Sequence, residues 1–328
     1  MKYRTIGADP QNRREVSVLS LGAMLFGSLT DEETSFAILD RYVEAGGTFV
    51  DTSDNYAFWA DGSQGGQSES LLGRWRRSRG IGGEVVIATK LGARPLAPGT
   101  SYVDNAEGLS AKVIRQSAQE SRQRLGVEKL DVLYAHIDDM AVPQEETVEA
   151  FGALVAEGSV GLLGVSNQWV WRVERARAHA AASGLAGYEL LQYHHTYLRR
   201  RTDRPSEIDP DGSPGGVDGA MLSYLRHNPG LALVAYSPLL SGGYVRADKP
   251  LGHELDHPGT PARLEALRAV AKEAGATVNQ VVLSWLIGGA VPVIPLVGAS
   301  SVAQLDESLA AVDLELTEDQ RARLDAAG

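Results

Sequence analysis

The chain has 328 residues, a formal net charge of -11 and no cysteine. A chain this acidic is repelled by nucleic acid and by anionic membranes, so neither is expected as a main partner. The missing thiols exclude disulfides, thiolate catalysis and Cys-ligated zinc, and suit a cytoplasmic protein. The length permits two domains, but strand–helix barrels reach this size as one unit, and a single domain over 1–328 is expected.

The opening MKYRTIG and the later EVSV flank the turn-rich ADPQNR, which predicts a small hairpin covering the bottom of the fold; no apolar stretch of a secretory signal precedes it. Eight short, continuously apolar runs follow, alternating with helical patterns, as parallel strands covered on both faces should. They are SVLSLG (17–22), TFVDTS (48–53), EVVIATK (84–90), LDVLYAH (130–136), GLLGVSN (161–167), LLQYHH (190–195), LALVAYS (231–237) and PVIPLVG (292–298). Thr30-Asp31-Glu32-Glu33 reads as a capping box ahead of TSFAILDRYVEAGG, with Gly46-Gly47 as the stop. The greasy stretch from Val281 is interrupted by Ser284, Gly288-Gly289, Pro292 and Pro295, so it predicts a helix end, a turn and a buried strand, not a membrane span. Together these units predict an α/β fold, a (β/α)8 TIM barrel with a short N-terminal β-hairpin. Three long connections, 56–68, 91–110 and 199–218, follow strands and belong to the face where catalytic groups collect.

Four residues at or just beyond strand ends carry chemistry: Asp51 after TFV, Tyr56 five positions later, Lys90 closing VVIATK and His136 closing LDVLYAH. Reducing a carbonyl needs a hydride at carbon and a proton at oxygen as alkoxide character develops. A free phenol has a pKa of about 10, so Lys90 is expected to lower that of Tyr56, with Asp51 holding Lys90 and His136 orienting the carbonyl or sharing the proton. His194 and His195 follow a strand without partners at ligand spacing, and no metal site is expected. Ala57, Phe58 and Trp59 after Tyr56 make a bulky pocket edge, to which Trp169 and Trp171 add a further apolar wall.

DTSDNY with GGQSESLLG, then ATK, YAH-x-x-D, GVSN, LQYH, YSPLLSGG and GASSVAQLDESL, follow one another in an order and spacing that resembles the aldo-keto reductase family over essentially the whole chain. The resemblance implies an NAD(P)H-dependent reduction of an aldehyde or ketone to an alcohol, with Asp51, Tyr56, Lys90 and His136 as the catalytic residues. GxGxxG is missing, and the resemblance instead implies a nicotinamide dinucleotide laid across the barrel mouth. Ser166, Asn167 and Gln192 match positions that bond its carboxamide, and Tyr236 matches the aromatic that stacks on its ring. Ser237, Leu239, Ser241 and Gly243 match the pyrophosphate loop, and Gly298, Ser300, Gln304 and Ser308 the adenosine end; Gly22 and Met24 join the cofactor contacts. Met24, Phe58, Trp59 and Trp169 are the expected substrate contacts. Only Ser300, Ser301 and Gln304 stand where many relatives carry a cation for the 2′-phosphate, so NADPH is expected to be preferred by a modest factor, with NADH also used. The implied partner is a small carbonyl or alcohol substrate, and oligomeric state is not legible. The other reading of the same barrel is a dinucleotide-binding, redox-sensing regulatory subunit.

Overall fold

Eight parallel strands close on one another in a computed structural model that describes residues 1–98, 105–201, 203 and 212–328. In chain order they are β3 (Ser20–Gly22), β4 (Phe49–Asp51), β5 (Val86–Leu91), β6 (Leu130–Ala135), β7 (Val160–Ser166), β8 (Tyr188–His194), β9 (Ala232–Tyr236) and β10 (Val293–Gly298). Each strand pairs with its neighbour in sequence, and β10 pairs back to β3 through Leu296 with Ser20 and Gly298 with Gly22. The result is the expected (β/α)8 barrel, with a two-stranded antiparallel sheet of β1 (Tyr3–Ile6) and β2 (Arg14–Ser17) at the N-terminus. Among the described residues no helix is long and apolar enough to cross a membrane.

Alternation along the strands separates two cores. Phe49, Val86, Val132, Tyr134, Leu190, Val234 and Ile294 meet in one cluster that Ile6 and Val16 of the hairpin join. Leu21, Val50, Ile87, Leu133, Val165 and Leu191 pack with the helices in another. Gly164 makes room for the Tyr134 ring, since a Cβ there would lie 2.3 Å from it.

Every apolar run overlaps its strand, but β5 runs on to Leu91, β7 starts at Val160 and β8 at Tyr188, outside the runs predicted for them, and the first strand does not extend back to Ser17, which belongs to β2 and bonds the Tyr42 hydroxyl at 2.8 Å. The first helix, Glu32–Glu44, is capped by Asp31 and not by Thr30: the Asp31 carboxylate accepts from the Thr34 N–H at 2.8 Å. Thr30 is committed to the preceding turn, donating to Leu25 and accepting from Gly27 through its backbone. The connection after Tyr56 contains a short helix, Phe58–Asp61, and the next helix, Gln67–Arg79, begins before Ser68. Parts of the connections 91–110 and 199–218 lie outside the described residues.

Candidate active site

The carboxyl ends of β4, β5 and β6 bring Asp51, Lys90 and His136 together, and the turn after β4 returns Tyr56 to them. Lys90 is fully buried; its Nζ donates to Asp51 Oδ1 at 2.5 Å, to the Thr52 carbonyl at 2.7 Å and to the Tyr56 hydroxyl at 3.0 Å. The other Asp51 oxygen accepts from Gln192 Nε2 at 2.7 Å. His136 stands edge-on to the Tyr56 ring, with 6.0 Å between centroids, and its Nδ1 is 3.1 Å from the Ser53 hydroxyl.

Burial decides much of the electrostatics. It pushes the Tyr56 hydroxyl above the usual phenol range, with Lys90 opposing and Asp51 reinforcing the rise. The expected depression of Tyr56 is therefore not what this structure has: desolvation of the phenolate outweighs the one cation beside it. Burial also works against the Lys90 ammonium, but attraction to Asp51 and Tyr56 exceeds it, and the amine is held above its ordinary range. His136 is driven well below 6.5 by burial and by Lys90, so it is neutral near neutral pH. Tyr56 thus carries its proton, Lys90 its charge and His136 none.

A second layer fixes these groups. The Ser53 hydroxyl donates to Asn55 Oδ1 at 2.8 Å, and Asn55 Nδ2 donates to the Ala93 carbonyl at 3.1 Å. Ser68 bonds Thr52 and the Ala23 carbonyl, each at 2.7 Å. Gly65, at φ +97°, lies so close to the backbone of Asn55 that a Cβ would approach it to 2.5 Å. The GGQSES segment is thereby a brace for the turn that carries Tyr56.

Above these groups opens a cavity of about 730 Å³. Asp51, Tyr56 and His136 line its floor with Ser166, Asn167, Gln192 and Tyr236, and Gly22 and Met24 line it from β3. Ser237, Leu239, Ser241, Gly298, Ser300, Gln304 and Ser308 extend it toward the helix Val302–Ala310, and Phe58 and Trp59 add aromatic edges. Lys90 lies beneath the lining, and neither Gly243 nor Trp169 takes part in it. The Gly243 N–H is used within its own turn, on the Leu240 carbonyl, and Gly242 lines the cavity instead. Trp169 precedes the helix Val170–Ala182, and its ring packs under Gly212. His194 and His195 are edge or tilt partners of Tyr236 and Trp285.

Sequence reasoning missed Asn55, Arg246, Asn279 and Glu307, all of which line the cavity. Helical spacing held a signal for Glu307, three positions from Gln304. Arg246 and Asn279 arrive from a loop and from a separate helix, Val278–Ile287, and nothing in their neighbours marks them.

The sequence pattern of the aldo/keto reductase family matches residues 18–328. The chain belongs to this family. It is 30% identical to an oxidoreductase of uncharacterised role from Bacillus subtilis, YrpG, over 96% of this chain and 92% of that protein. It is 29% identical to the aldo-keto reductase ausK of Emericella nidulans, over 100% of this chain and 81% of that protein. A norsolorinic acid reductase of the same fungus, stcV, is also 29% identical, over 93% of this chain and 76% of its own length.

The cofactor class of aldo/keto reductases, a nicotinamide dinucleotide, fits the donors and spaces present. A Cβ built on Gly298 meets nothing within 4 Å, so the cavity is open over this turn. Asn279 Oδ1 is a buried acceptor with no partner among the described residues, suited to an amine on a ligand. Ser301 caps the helix Val302–Ala310, whose N-terminal field favours anions. Arg246, paired with Asp248, places a guanidinium on the same wall. At the inner end the polar atoms are already ordered: Asn167, at φ +57°, donates from Nδ2 to the His136 carbonyl at 3.0 Å and accepts from the Tyr236 hydroxyl at 2.9 Å. The Ser166 hydroxyl donates to the Gln192 carbonyl at 2.7 Å.

Proposed function

We propose that this aldo/keto reductase uses NAD(P)H, with NADPH preferred, to reduce an apolar or aromatic aldehyde or ketone to its alcohol, and that Tyr56 delivers the proton. The observation that carries this reading is the Tyr56 hydroxyl held 3.0 Å from a buried ammonium at the edge of a deep cavity. The bound dinucleotide supplies the hydride. Tyr56 donates the proton to the carbonyl oxygen, and Lys90 stabilises the phenolate that forms from a buried position where charge interactions are strong. Asp51 holds Lys90, and neutral His136 hydrogen-bonds the carbonyl oxygen and sets its approach.

Ser166, Asn167 and Gln192 would hold the carboxamide, Tyr236 the nicotinamide face, Ser237, Leu239, Ser241 and Gly242 the pyrophosphate, and Gly298, Ser300, Gln304 and Ser308 the adenosine end with Asn279 and Glu307. Arg246 is the cation available to phosphate. An apolar substrate is supported by the wall beside Tyr56. The Trp59 ring stands edge-on to Tyr56 at 6.3 Å and to Phe58 at 5.1 Å, and Trp59 is 48% exposed and Met24 42%. The names of two relatives, norsolorinic acid reductase and an aryl-alcohol dehydrogenase of Pestalotiopsis microspora, point to aromatic compounds for those proteins.

The test is oxidation of NADPH and NADH by a panel of aromatic and aliphatic aldehydes and ketones. Turnover with aromatic members supports the reading. Tight dinucleotide binding with no turnover on any member favours a regulatory subunit.

A further inference from the structure

Outside the cavity lining, around the turn that carries Tyr56, four carboxyl groups, Asp54, Glu69, Glu107 and Glu120, meet two guanidinium groups, Arg94 and Arg124. The cations are committed elsewhere. Arg94 pairs with Glu107 at 3.3 Å and Glu120 at 2.8 Å, and Arg124 with Glu69 at 2.5 Å and Glu120 at 3.5 Å. Glu107 also accepts from the Gly92 N–H at 2.9 Å and the Ser117 hydroxyl at 3.0 Å, and Glu69 from the Thr89 hydroxyl at 2.5 Å. Asp54 is different. It is completely buried, and neither of its carboxyl oxygens has a donor among the described residues. Its carboxyl faces that of Glu107, and an ionised Asp54 with no donor would be left desolvated and uncompensated. A proton between the two carboxyls removes both problems, giving Asp54 a donor and cancelling one of two like charges.

We propose that Asp54 and Glu107 share one proton, and that this shared proton fastens the connection after β5 to the catalytic turn while keeping a second negative charge from Tyr56. Asp54 is then a positioning residue. It stands two residues before Tyr56, and its N–H donates to the Lys90 carbonyl at 3.1 Å, so the turn and the strand that carries the ammonium meet at this residue. The groups facing it are Glu107 and Arg94 from the connection after β5, Glu69 from the helix Gln67–Arg79, and Tyr56 on its own turn. Burial and the charges of Glu107 and Glu69 all favour the protonated form, with Arg94 alone opposing. An ionised Asp54 pushes the Tyr56 hydroxyl further up and makes it a poorer acid.

This inference rests on the proposed role of Tyr56, but its first test does not. Infrared spectra of the full chain are taken across pH for wild type, Asp54→Asn and Glu107→Gln. The expected result is a protonated-carboxyl band that persists above the ordinary carboxylate range in wild type, is missing from Asp54→Asn and is shifted in frequency in Glu107→Gln, so failure of one variant to fold leaves the other. The second measurement is kcat against pH. Wild type is expected to lose about tenfold as the band titrates, the equivalent of one unit on the Tyr56 pKa, whereas Asp54→Asn lacks that step and declines only with Tyr56 itself. A wild-type spectrum in which no band distinguishes it from the variants overturns the shared proton. Superimposable pH profiles overturn the positioning role. If no carbonyl is turned over at all, the proposed function fails and the positioning role with it, while the infrared titration still decides the pair.

Discussion

Lys90 donates to the Tyr56 hydroxyl at 3.0 Å while its Nζ also lies 4.6 Å from the centre of the Tyr56 ring. One buried ammonium thus serves both as a hydrogen-bond donor to the phenol and as the charge that a phenolate needs. Among the described residues Asp51 is the only carboxylate bonded to it, and the Lys90 and Asp51 side chains are 0% and 1% exposed.

Removing one partner of this pair is expected to cost more than removing both. Lys90→Met leaves a buried carboxylate without its cation, and such losses run to about 3–5 kcal/mol. The Asp51→Leu, Lys90→Met double variant should recover part of that stability in urea unfolding without recovering turnover. Additive losses would mean that the pair contributes no coupling.

The histidines set the acid side of stability. His194 is pushed down to about 3 by burial, Arg200 and His195, His195 to about 4 by burial, and His136 well below 6.5 by burial and Lys90. Each binds its proton in the unfolded chain before it does in the folded one. Their contribution is therefore present above about pH 6.5 and is lost as pH falls, at up to about 1.4 kcal/mol per unit for each. Urea midpoints of wild type and His195→Gln should draw apart between pH 6.5 and 4, with wild type falling faster. Parallel curves would show that His195 is not held neutral.

Gly65→Ala places a methyl group against the Asn55 backbone in a conformation that L residues rarely adopt. Strain of about 1–3 kcal/mol is expected, together with a fall in kcat, because the turn that moves carries Tyr56. A variant with wild-type stability and turnover would remove the brace from the account.

The serine at the GASS turn tests cofactor choice. Ser300 donates to Gln304 Oε1 through its N–H at 2.9 Å and its hydroxyl at 3.0 Å, so its donors are engaged within the turn and it has no charge to give a phosphate. Ser300→Arg should tighten NADPH binding and leave NADH little changed. Equal effects on both, measured as dissociation constants, would put the 2′-phosphate elsewhere, with Arg246 as the next residue to vary.

How much of this was legible depended on the kind of signal. Apolar runs located all eight strands, and their ends located Asp51, Lys90 and His136, because a parallel barrel gathers strand ends whatever the intervening loops do. Ser17 misled because an apolar run does not show where a hairpin strand stops and a barrel strand starts. The rise at Tyr56 was hidden because sequence lists the neighbouring charge, Lys90, but not the depth at which the phenol sits. Trp169 looked like a pocket wall from its neighbours in GVSN, whereas its ring lies beside Gly212 and takes no part in the cavity lining. Asn279 and Arg246 reach the cavity through tertiary packing alone, which no local pattern records.

Tyr56 is proposed as the proton donor of a nicotinamide-dependent carbonyl reduction. Steady-state reduction of an aromatic aldehyde by wild type and Tyr56→Phe, with NADPH dissociation constants measured on both, tests it most directly. A kcat lower by about 10²–10⁴-fold is expected in the variant with the dissociation constant nearly unchanged, since the ring is kept and only the acidic hydroxyl is lost. Near-normal turnover by Tyr56→Phe would contradict it.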